Sequence, residues 1–167
     1  MEDSNKLIQE RIQRAKELLK VRHASMATVN EDGSPHNSPY RFMYSPDLTK
    51  LYWGSHPGSL HSQNILRTGQ LFVAVYDAYE RGGLYIKASN GHIADGGELT
   101  EALAVHNKLR TENNETPIER SYYEGDGPQR MWVADITELS INYSEKNEQG
   151  LLVQDLRREI TANDLLT

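Results

Sequence analysis

The sequence predicts an α+β protein, mainly β, in which about six antiparallel strands close or partly close into a barrel flanked by three helices. Asp32-Gly33 lies between two extended runs, a strong hairpin signal because glycine adopts positive φ without penalty. Residues 130–143 place apolar side chains at every second position, which is typical of a half-buried strand. Residues 5–20 and 98–111 repeat them every three or four positions, which is typical of amphipathic helices.

The predicted elements follow one another in an order that suits such a barrel. Strands are predicted at residues 24–30, about 35–44, 50–55, 70–77, 84–95 and 130–143. Helices are predicted at residues 5–20, 59–67 and 98–111, with a short helical piece near 118–123. Residues 70–77 are apolar at successive positions, so we expect both faces of that strand to be buried, one of them against a helix or a second subunit. Gly91 indicates a bulge in the next strand.

The second strand carries an alternation of its own. Tyr40, Phe42 and Tyr44 alternate with other side chains, so we expect these aromatic rings on the core face and Arg41 pointing elsewhere. Pro39 has no N–H to donate to a neighbouring strand, which indicates an edge or an interruption of the sheet.

The two ends of the chain flank the barrel. Residues 1–20 are expected to form an N-terminal helix that covers it. The tail, residues 144–167, is charged and only partly patterned. Residues 151–153 could pair or dock there, and residues 156–160 could form a short helix.

The composition limits the class of protein. The chain has 167 residues, a length that favours one domain. Its 24 acidic and 18 basic side chains give a net charge of −6, which argues against a duplex-DNA partner. It has no cysteine, which excludes disulfides, thiolate catalysis and cysteine-bound metals and fits a reducing cytoplasm. No window approaches the roughly 20 apolar residues of a membrane span. We therefore expect a soluble, cytoplasmic protein with no nucleic-acid or membrane partner.

The turn before the second helix carries the strongest chemical signal. It reads Ser55-His56-Pro57-Gly58-Ser59, and Asn64 follows one turn into the helix. A helix start rich in hydroxyls binds anions readily, because the first backbone N–H groups of a helix have no partner inside it. The turn therefore indicates a phosphate-bearing cofactor. A plain helix cap is the second interpretation of Ser59, since capping also favours serine.

Several histidines leave alternatives open. His36, His56 and His61 lie near one another in the predicted topology and could ligate a metal or haem. The spacing of His56 and His61 lacks the helix-face geometry of a zinc pair, so we favour no metal site. His106 falls on the apolar stripe of a helix and is interpreted as structural. No G-x-S-x-G elbow is present, which argues against a hydrolase.

A series of short segments, mostly between residues 20 and 95, forms a further pattern: Ala27-Thr28-Val29, Asp32-Gly33, Pro35, the strand 39–42, Leu51-Tyr52-Trp53, Ser59-x-His61 with Asn64, and Phe72-Val73-Ala74-Val75. In order and spacing these segments resemble the FMN-binding split barrel of the pyridoxamine 5′-phosphate oxidase-like superfamily. The resemblance implies a six-stranded antiparallel split β-barrel with flanking helices. It also implies a homodimer that holds FMN in a groove between its two subunits.

The resemblance implies which residues meet the phosphate. Ser59 matches a serine that contacts phosphate just before the helix. His61 stands where many members carry lysine or arginine, and histidine is only fractionally charged near neutral pH. Gly54 and Ser55 lie where the end of a strand meets the phosphate or the ring.

The resemblance also places the flavin ring. Arg41 matches a basic residue that reaches FMN, and the ring is expected along the strand from Pro39 through Tyr40 to Phe42. The true oxidases carry an Arg-x-His pattern near the last strand, where this chain has Trp132 in place of the histidine. That departure argues against a genuine pyridoxamine phosphate oxidase. Trp132 is a core or interface residue by type and could also stack on the flavin.

The function expected from these features is an FMN-dependent oxidoreductase acting on an unidentified small molecule. No acid–base pair stands out, which fits a flavin enzyme because the flavin itself carries out hydride and electron transfer. The alternatives are a flavin-binding or sensing protein without turnover, and a barrel that binds the deazaflavin F420 or haem.

Overall fold

One antiparallel sheet and four α-helices make up the described part of the chain, which in the computed structural model comprises residues 2–21, 23–77, 82–147 and 149–167. The helices are α1 (Glu2–Leu18), α2 (Leu60–Thr68), α3 (Gly96–Glu112) and α4 (Ala162–Leu166), with a 3₁₀ turn at Arg120–Tyr122. The strands are β1 (His23–Val29), β2 (Pro35–Arg41), β3 (Met43–Tyr44), β4 (Lys50–Ser55), β5 (Leu71–Val75), β6 (Leu84–Ile93), β7 (Arg130–Lys146) and β8 (Leu152–Ile160). None of the helices in these ranges has the length and apolar character that crossing a membrane requires.

The two ends of the sheet are joined by a single residue. Hydrogen-bonded neighbours run in the order β2-β1-β5-β6-β7-β4-β3, and Phe42 alone separates β2 from β3 in the chain. Because consecutive Cα atoms are only about 3.8 Å apart, the sheet must curl until its ends meet. The predicted barrel is therefore confirmed, and Pro39 lies on an edge strand as expected. Phe42 is 6% exposed and packs on Trp53 in the core.

The structure has eight strands in its described part, where the sequence predicted six. One extra strand arises because the predicted run 35–44 is broken at Phe42 into β2 and β3. The other is β8, in the tail, where residues 156–160 belong to a strand and not to the predicted short helix. Ile160 is paired with Leu139 of β7. The fourth helix begins after β8, where Thr161 and Asp164 form a reciprocal capping box.

The longest strand, β7, has partners on both sides. On one side it pairs with β6, and on the other it pairs first with β4 and then with β8. Trp132 of β7 lies opposite Trp53 of β4, and the two fully buried indoles stack with ring centroids 6.1 Å apart. This pair forms the centre of the core beneath the end of β4.

Helix α1 covers the barrel as predicted. It buries one stripe of apolar side chains and leaves its other faces polar, which is the behaviour expected of an amphipathic helix. The buried members of the stripe are Ile8, Ile12, Ala15 and Leu18.

In the described part of the chain, strand β5 is fully buried on one face and half-buried on the other, and cover of the second face by a second subunit stays a prediction. Leu71, Val73 and Val75 are buried and alternate with half-buried neighbours. On the outer face Phe72 stacks on Tyr85, and the guanidinium of Arg157 lies over both rings, 5.1 Å and 3.9 Å from their centroids. Arg157 therefore covers part of the apolar outer face of β5 and β6.

Gly91 interrupts β6 as the sequence predicted. The register of β6 against β7 shifts between Ser89 and His92, and the Gly91 N–H donates to the Gly69 carbonyl at 2.8 Å, just after α2. A Cβ at Gly91 would lie 2.5 Å from Cγ2 of Ile65, which is fully buried. Only glycine lets β6 approach α2 this closely.

We expect Gly91→Ala to lower the free energy of unfolding by about 1–3 kcal/mol, because the new methyl group overpacks the contact with Ile65. Gly97→Ala is the matched control, since a Cβ there meets nothing within 4 Å. That control is expected to be neutral or slightly stabilising, because alanine is the better helix former. Urea unfolding measures both, and equal stability of the two variants would contradict the close-approach explanation.

Candidate functional site

Two adjoining features lie near the end of β4. The first is a group of side chains at the start of α2, which we call the serine–histidine cluster and which comprises His36, Ser38, Ser55, Ser59, His61 and Ser62. The second is a cavity of about 560 Å³ under α3, which we call the α3 cavity. Its volume lies within the range of small-molecule sites, roughly 300–1,000 Å³.

The centre of the serine–histidine cluster is the imidazole of His61. Its Nε2 lies 2.8 Å from the hydroxyl oxygen of Ser55 and 2.9 Å from that of Ser59. The hydroxyl of Ser62 is 3.1 Å from that of Ser55 and 2.8 Å from that of Ser59. These groups therefore form a closed hydrogen-bonded ring at the end of β4 and the start of α2.

Ser59 occupies the N-cap position of α2 without capping it. Its side chain accepts no hydrogen bond from the helix backbone, and its hydroxyl lies 2.9 Å from the carbonyl oxygen of His56. The serine thus contributes its hydroxyl to the cluster, which the plain-cap interpretation did not anticipate.

The imidazole at the centre of the cluster is uncharged near neutral pH. His61 is 9% exposed, and burial, followed by the neighbouring His36, lowers the pKa of its imidazole. The two rings are stacked with centroids 6.5 Å apart, and Ser38 lies between them, 3.0 Å from Nε2 of His36 and 3.5 Å from Nδ1 of His61. Since the partners of His61 Nε2 and Ser62 are the hydroxyls of Ser55 and Ser59, the part of the cluster around His61 offers hydrogen bonds without a fixed positive charge.

Tyr40 separates the cluster from the α3 cavity. Its ring meets the ring of His61 edge-on, with centroids 5.0 Å apart, while the same side chain lines the cavity. The phenol donates a 2.7 Å hydrogen bond to the carbonyl of Gly54. Burial raises the pKa of Tyr40, so the phenol stays protonated at neutral pH.

The floor of the cavity depends on a glycine in β4. A Cβ at Gly54 would lie 3.0 Å from both Oε1 of Gln129 and Cε1 of Tyr123. The absence of a side chain there therefore lets Tyr123 pack close to the strand. Burial raises the pKa of Tyr123 to about 12, so this phenol too is neutral.

The wall contributed by α3 and the loop after it is charged. Arg110 makes an ion pair with Glu115 at 3.0 Å, and Arg41, on the facing strand, approaches the same carboxylate at 3.8 Å. His106 lies in this wall with Nδ1 3.3 Å from the hydroxyl of Tyr123. Burial, then the charges of Arg110 and Arg41, lowers the pKa of His106. Two guanidinium groups, one carboxylate and a neutral imidazole leave this wall net positive.

The structure divides the residues predicted to bind the cofactor into three groups. Those that line the α3 cavity are Pro39, Tyr40, Arg41, Phe42 and Gly54. Those in the serine–histidine cluster are Ser55, Ser59 and His61. Trp132 is fully buried in the core, where its indole N–H donates to the Ser55 carbonyl at 3.2 Å, so it supports the end of β4 from below.

The three histidines considered as ligands do not converge. His36 and His61 belong to the cluster, whereas His56 is exposed and its Nδ1 accepts a hydrogen bond from the N–H of Gly58 at 3.0 Å. Within the described ranges, no group of three or more histidine, aspartate or glutamate side chains is placed to hold one metal ion.

Sequence reasoning missed the α3 side of the site. His106 was interpreted as a structural residue, yet it lines the cavity together with Arg110 and Glu115. The available signal was that His106 and Arg110 are four residues apart and therefore lie on one helix face. The sequence pattern does not indicate which strand packs against the face of α3 that carries these two residues.

The curled sheet with a cavity at its meeting ends defines a split-barrel protein. Residues 10–143 match the family model described as pyridoxamine 5′-phosphate oxidase. The chain therefore belongs to the pyridoxamine 5′-phosphate oxidase family. No curated protein matches the sequence.

Solved structures share this fold at low sequence identity. Group A Streptococcus HupZ is 19% identical with a TM-score of 0.56, over 76% of this chain and 90% of that one. A heme binding protein from Mycobacterium smegmatis is 13% identical with a TM-score of 0.63, over 95% of this chain and 60% of that one. An F420 reductase is 19% identical with a TM-score of 0.54, over 75% of this chain and 95% of that one. At these sequence identities the similarity shows a shared fold alone.

We expect the imidazoles of His61 and His106 to titrate below the ordinary histidine value and that of His92 to titrate above it. For His92, burial acts to lower the pKa, but hydrogen bonds to the Asn90 carbonyl and to Glu98 together outweigh it. An NMR titration assigned with single histidine-to-glutamine variants measures the order.

The same shifts set the sign of the pH dependence of stability. The pKa of His61 in the folded protein lies below its unfolded value of 6.5. Its contribution to the free energy of unfolding is therefore complete above pH 6.5 and is lost as the pH falls. The contribution of His92 runs the other way and is lost as the pH rises through its folded pKa. Titration of His61 at a higher pH than His92 would contradict the burial argument.

Proposed function

We propose that the chain is an FMN-binding oxidoreductase, of flavin reductase or oxidase type, that acts on a small molecule. The observation that carries the proposal is the position of Tyr40, which lines the α3 cavity on one side and packs on His61 on the other. One ligand can therefore place a planar ring in the cavity and a polar end at the serine–histidine cluster. FMN has both parts.

The residues of the cavity fit a flavin ring. Phe42, Leu109 and Tyr122 supply apolar and aromatic surface, while Arg41 supplies a guanidinium. A pocket that is mostly apolar, with a few convergent polar groups, is the usual form of a cofactor site. When bound, FMN would supply the hydride and electron transfer itself.

The donors for the phosphate are hydroxyls, a neutral imidazole and the start of α2. Ser55 and Ser59 can redirect their hydroxyls from His61 to phosphate oxygens, and the first N–H groups of α2 can add to them. Among the members of the cluster none is a lysine or arginine, so we expect a moderate affinity for FMN. The protonated side chain of Tyr40 would lie between the phosphate site and the ring site of bound FMN.

A haem-binding protein is the second candidate, and His106 favours it. A neutral imidazole is the form that ligates iron, and burial together with Arg110 and Arg41 keeps His106 neutral. The heme binding protein from Mycobacterium smegmatis has the same fold, which supports this candidate. F420 is a further alternative, since Arg41 and Arg110 could meet part of its acidic tail.

The proposal includes a homodimer with the cofactor at the subunit interface. Leu151, just before β8, and Leu152 and Val153 at its start are each 60% exposed or more, and Phe72 and Tyr85 form a ring pair on the outer face with Arg157 over it. Light scattering is expected to give about twice 19.0 kDa. A monomer that binds FMN at full strength would contradict a shared site.

For FMN itself, Ser59→Ala and Arg41→Ala are each expected to weaken binding about tenfold or more, because a hydrogen bond to a charged group contributes roughly 1.5–3 kcal/mol. His61→Lys is expected to tighten it, because a fixed positive charge then faces the phosphate. Ser144→Ala, which removes a hydroxyl bonded to Asp155 on the tail hairpin, is the control. Flavin fluorescence quenching measures all four affinities. Unchanged affinity in Ser59→Ala would refute the phosphate assignment, and unchanged affinity in Arg41→Ala would refute a contact between Arg41 and FMN.

The visible spectrum of the purified protein separates the candidates. Flavin bands that bleach with NAD(P)H support the enzyme, whereas flavin bands that do not bleach support a binding or sensing protein. A Soret band that His106→Ala abolishes supports haem. A folded protein that stays colourless and ignores added FMN and haem rejects both candidates.

A further inference from the structure

The charged wall of the α3 cavity contains a carboxylate held between two guanidinium groups. Glu115 Oε2 lies 3.0 Å from Nη1 of Arg110, and Oε1 lies 3.8 Å from Nη2 of Arg41. All three residues line the cavity. A carboxylate on the inner surface of a ligand-sized cavity therefore already sits where a bound anion would sit.

The chain builds this arrangement at the end of α3. The helix ends in a turn in which the N–H of Glu115 donates to the carbonyl of Arg110 at 2.8 Å, and Asn114 adopts a positive φ of 57°. Nε of Arg110 donates to the carbonyl of Thr116 at 2.5 Å. The Arg110 side chain is thus fixed and 23% exposed, whereas Arg41 on the facing strand is 56% exposed.

The charge balance of the wall is opposite to that of the whole chain. The chain has a net charge of −6, yet this wall has two guanidinium groups against one carboxylate. The lowered pKa of His106, caused by burial and then by Arg110 and Arg41, fits a positive potential in the cavity. An anion that enters would be attracted, and it would compete with Glu115 for Arg110.

We propose that the substrate of this protein carries a carboxylate, and that this carboxylate binds Arg110 and Arg41 by displacing Glu115, which acts as a built-in competitor. The geometry favours a carboxylate because a carboxylate already spans the two guanidinium groups, and paired N–H donors of arginine match its two oxygens. The inference rests on the proposed function for the role of substrate. The binding site itself can be tested separately.

The probe is benzoate, a planar carboxylate, with benzamide as the neutral molecule of the same shape. Calorimetry on the full chain, with and without added FMN, measures both against the wild type, Glu115→Gln and Arg110→Gln. We expect Glu115→Gln to bind benzoate about tenfold more tightly, because the competing charge is gone while the shape is kept. Arg110→Gln is expected to bind it at least tenfold more weakly, and benzamide to be insensitive to both changes.

Glu124→Gln is the matched control, because Glu124 makes an ion pair with Arg120 at 2.7 Å and neither residue lines the cavity. It should leave benzoate affinity unchanged. Thermal unfolding verifies that each variant is folded. If Arg110→Gln fails to fold, the tightening by Glu115→Gln still decides the matter.

Equal benzoate affinity in the wild type and Glu115→Gln would overturn the proposal. So would inorganic phosphate gaining more than benzoate from Glu115→Gln, since the site would then be built for phosphate. Failure of the proposed function looks different: FMN would not bind, while the benzoate pattern persisted. Bound FMN without the benzoate pattern would reject the carboxylate proposal alone.

Discussion

The joining of β2 to β3 through Phe42 is the constraint on which the site depends. Because the two ends of the sheet must meet at one residue, side chains from both ends, Arg41 of β2 and Met43 of β3, line the same cavity. Phe42 packs on Trp53 in the core and also lines the cavity, together with Tyr40 and Arg41. The cavity is therefore a product of barrel closure, and α3 supplies its remaining wall.

The two halves of the site differ in charge for a physical reason. The serine–histidine cluster lies deep at the start of α2, where burying an unpaired cation would be costly, and its hydroxyls satisfy one another around a neutral His61. The wall of the cavity that carries Arg41 and Arg110 is more open to water, so it tolerates charges and pairs them only partly with Glu115. A ligand that spans both halves would meet hydrogen bonds at one end and net positive charge at the other.

The sequence correctly predicts the elements whose formation depends on residues close together in the chain. The Asp32-Gly33 hairpin, the strand at 50–55 and the helix after Ser59 depend on neighbouring residues, and all three are found. The strand β8 was missed because it is exposed along most of its length, and its two more buried side chains, Leu156 and Ile160, are four residues apart, a spacing typical of a helix. The charged wall was missed because Arg41 and Arg110 meet only through the tertiary fold.

The pairing of β7 also bears on how the chain is made. Lys50 of β4 pairs with Asp135 of β7, and β6 likewise takes β7 as its neighbour. During synthesis, β4 and β6 each keep one edge without its hydrogen-bonding partner until β7, in the C-terminal third of the chain, has been made. Such distant pairing slows folding and exposes the nascent sheet to aggregation. The barrel can therefore be completed only late in the synthesis and folding of the chain.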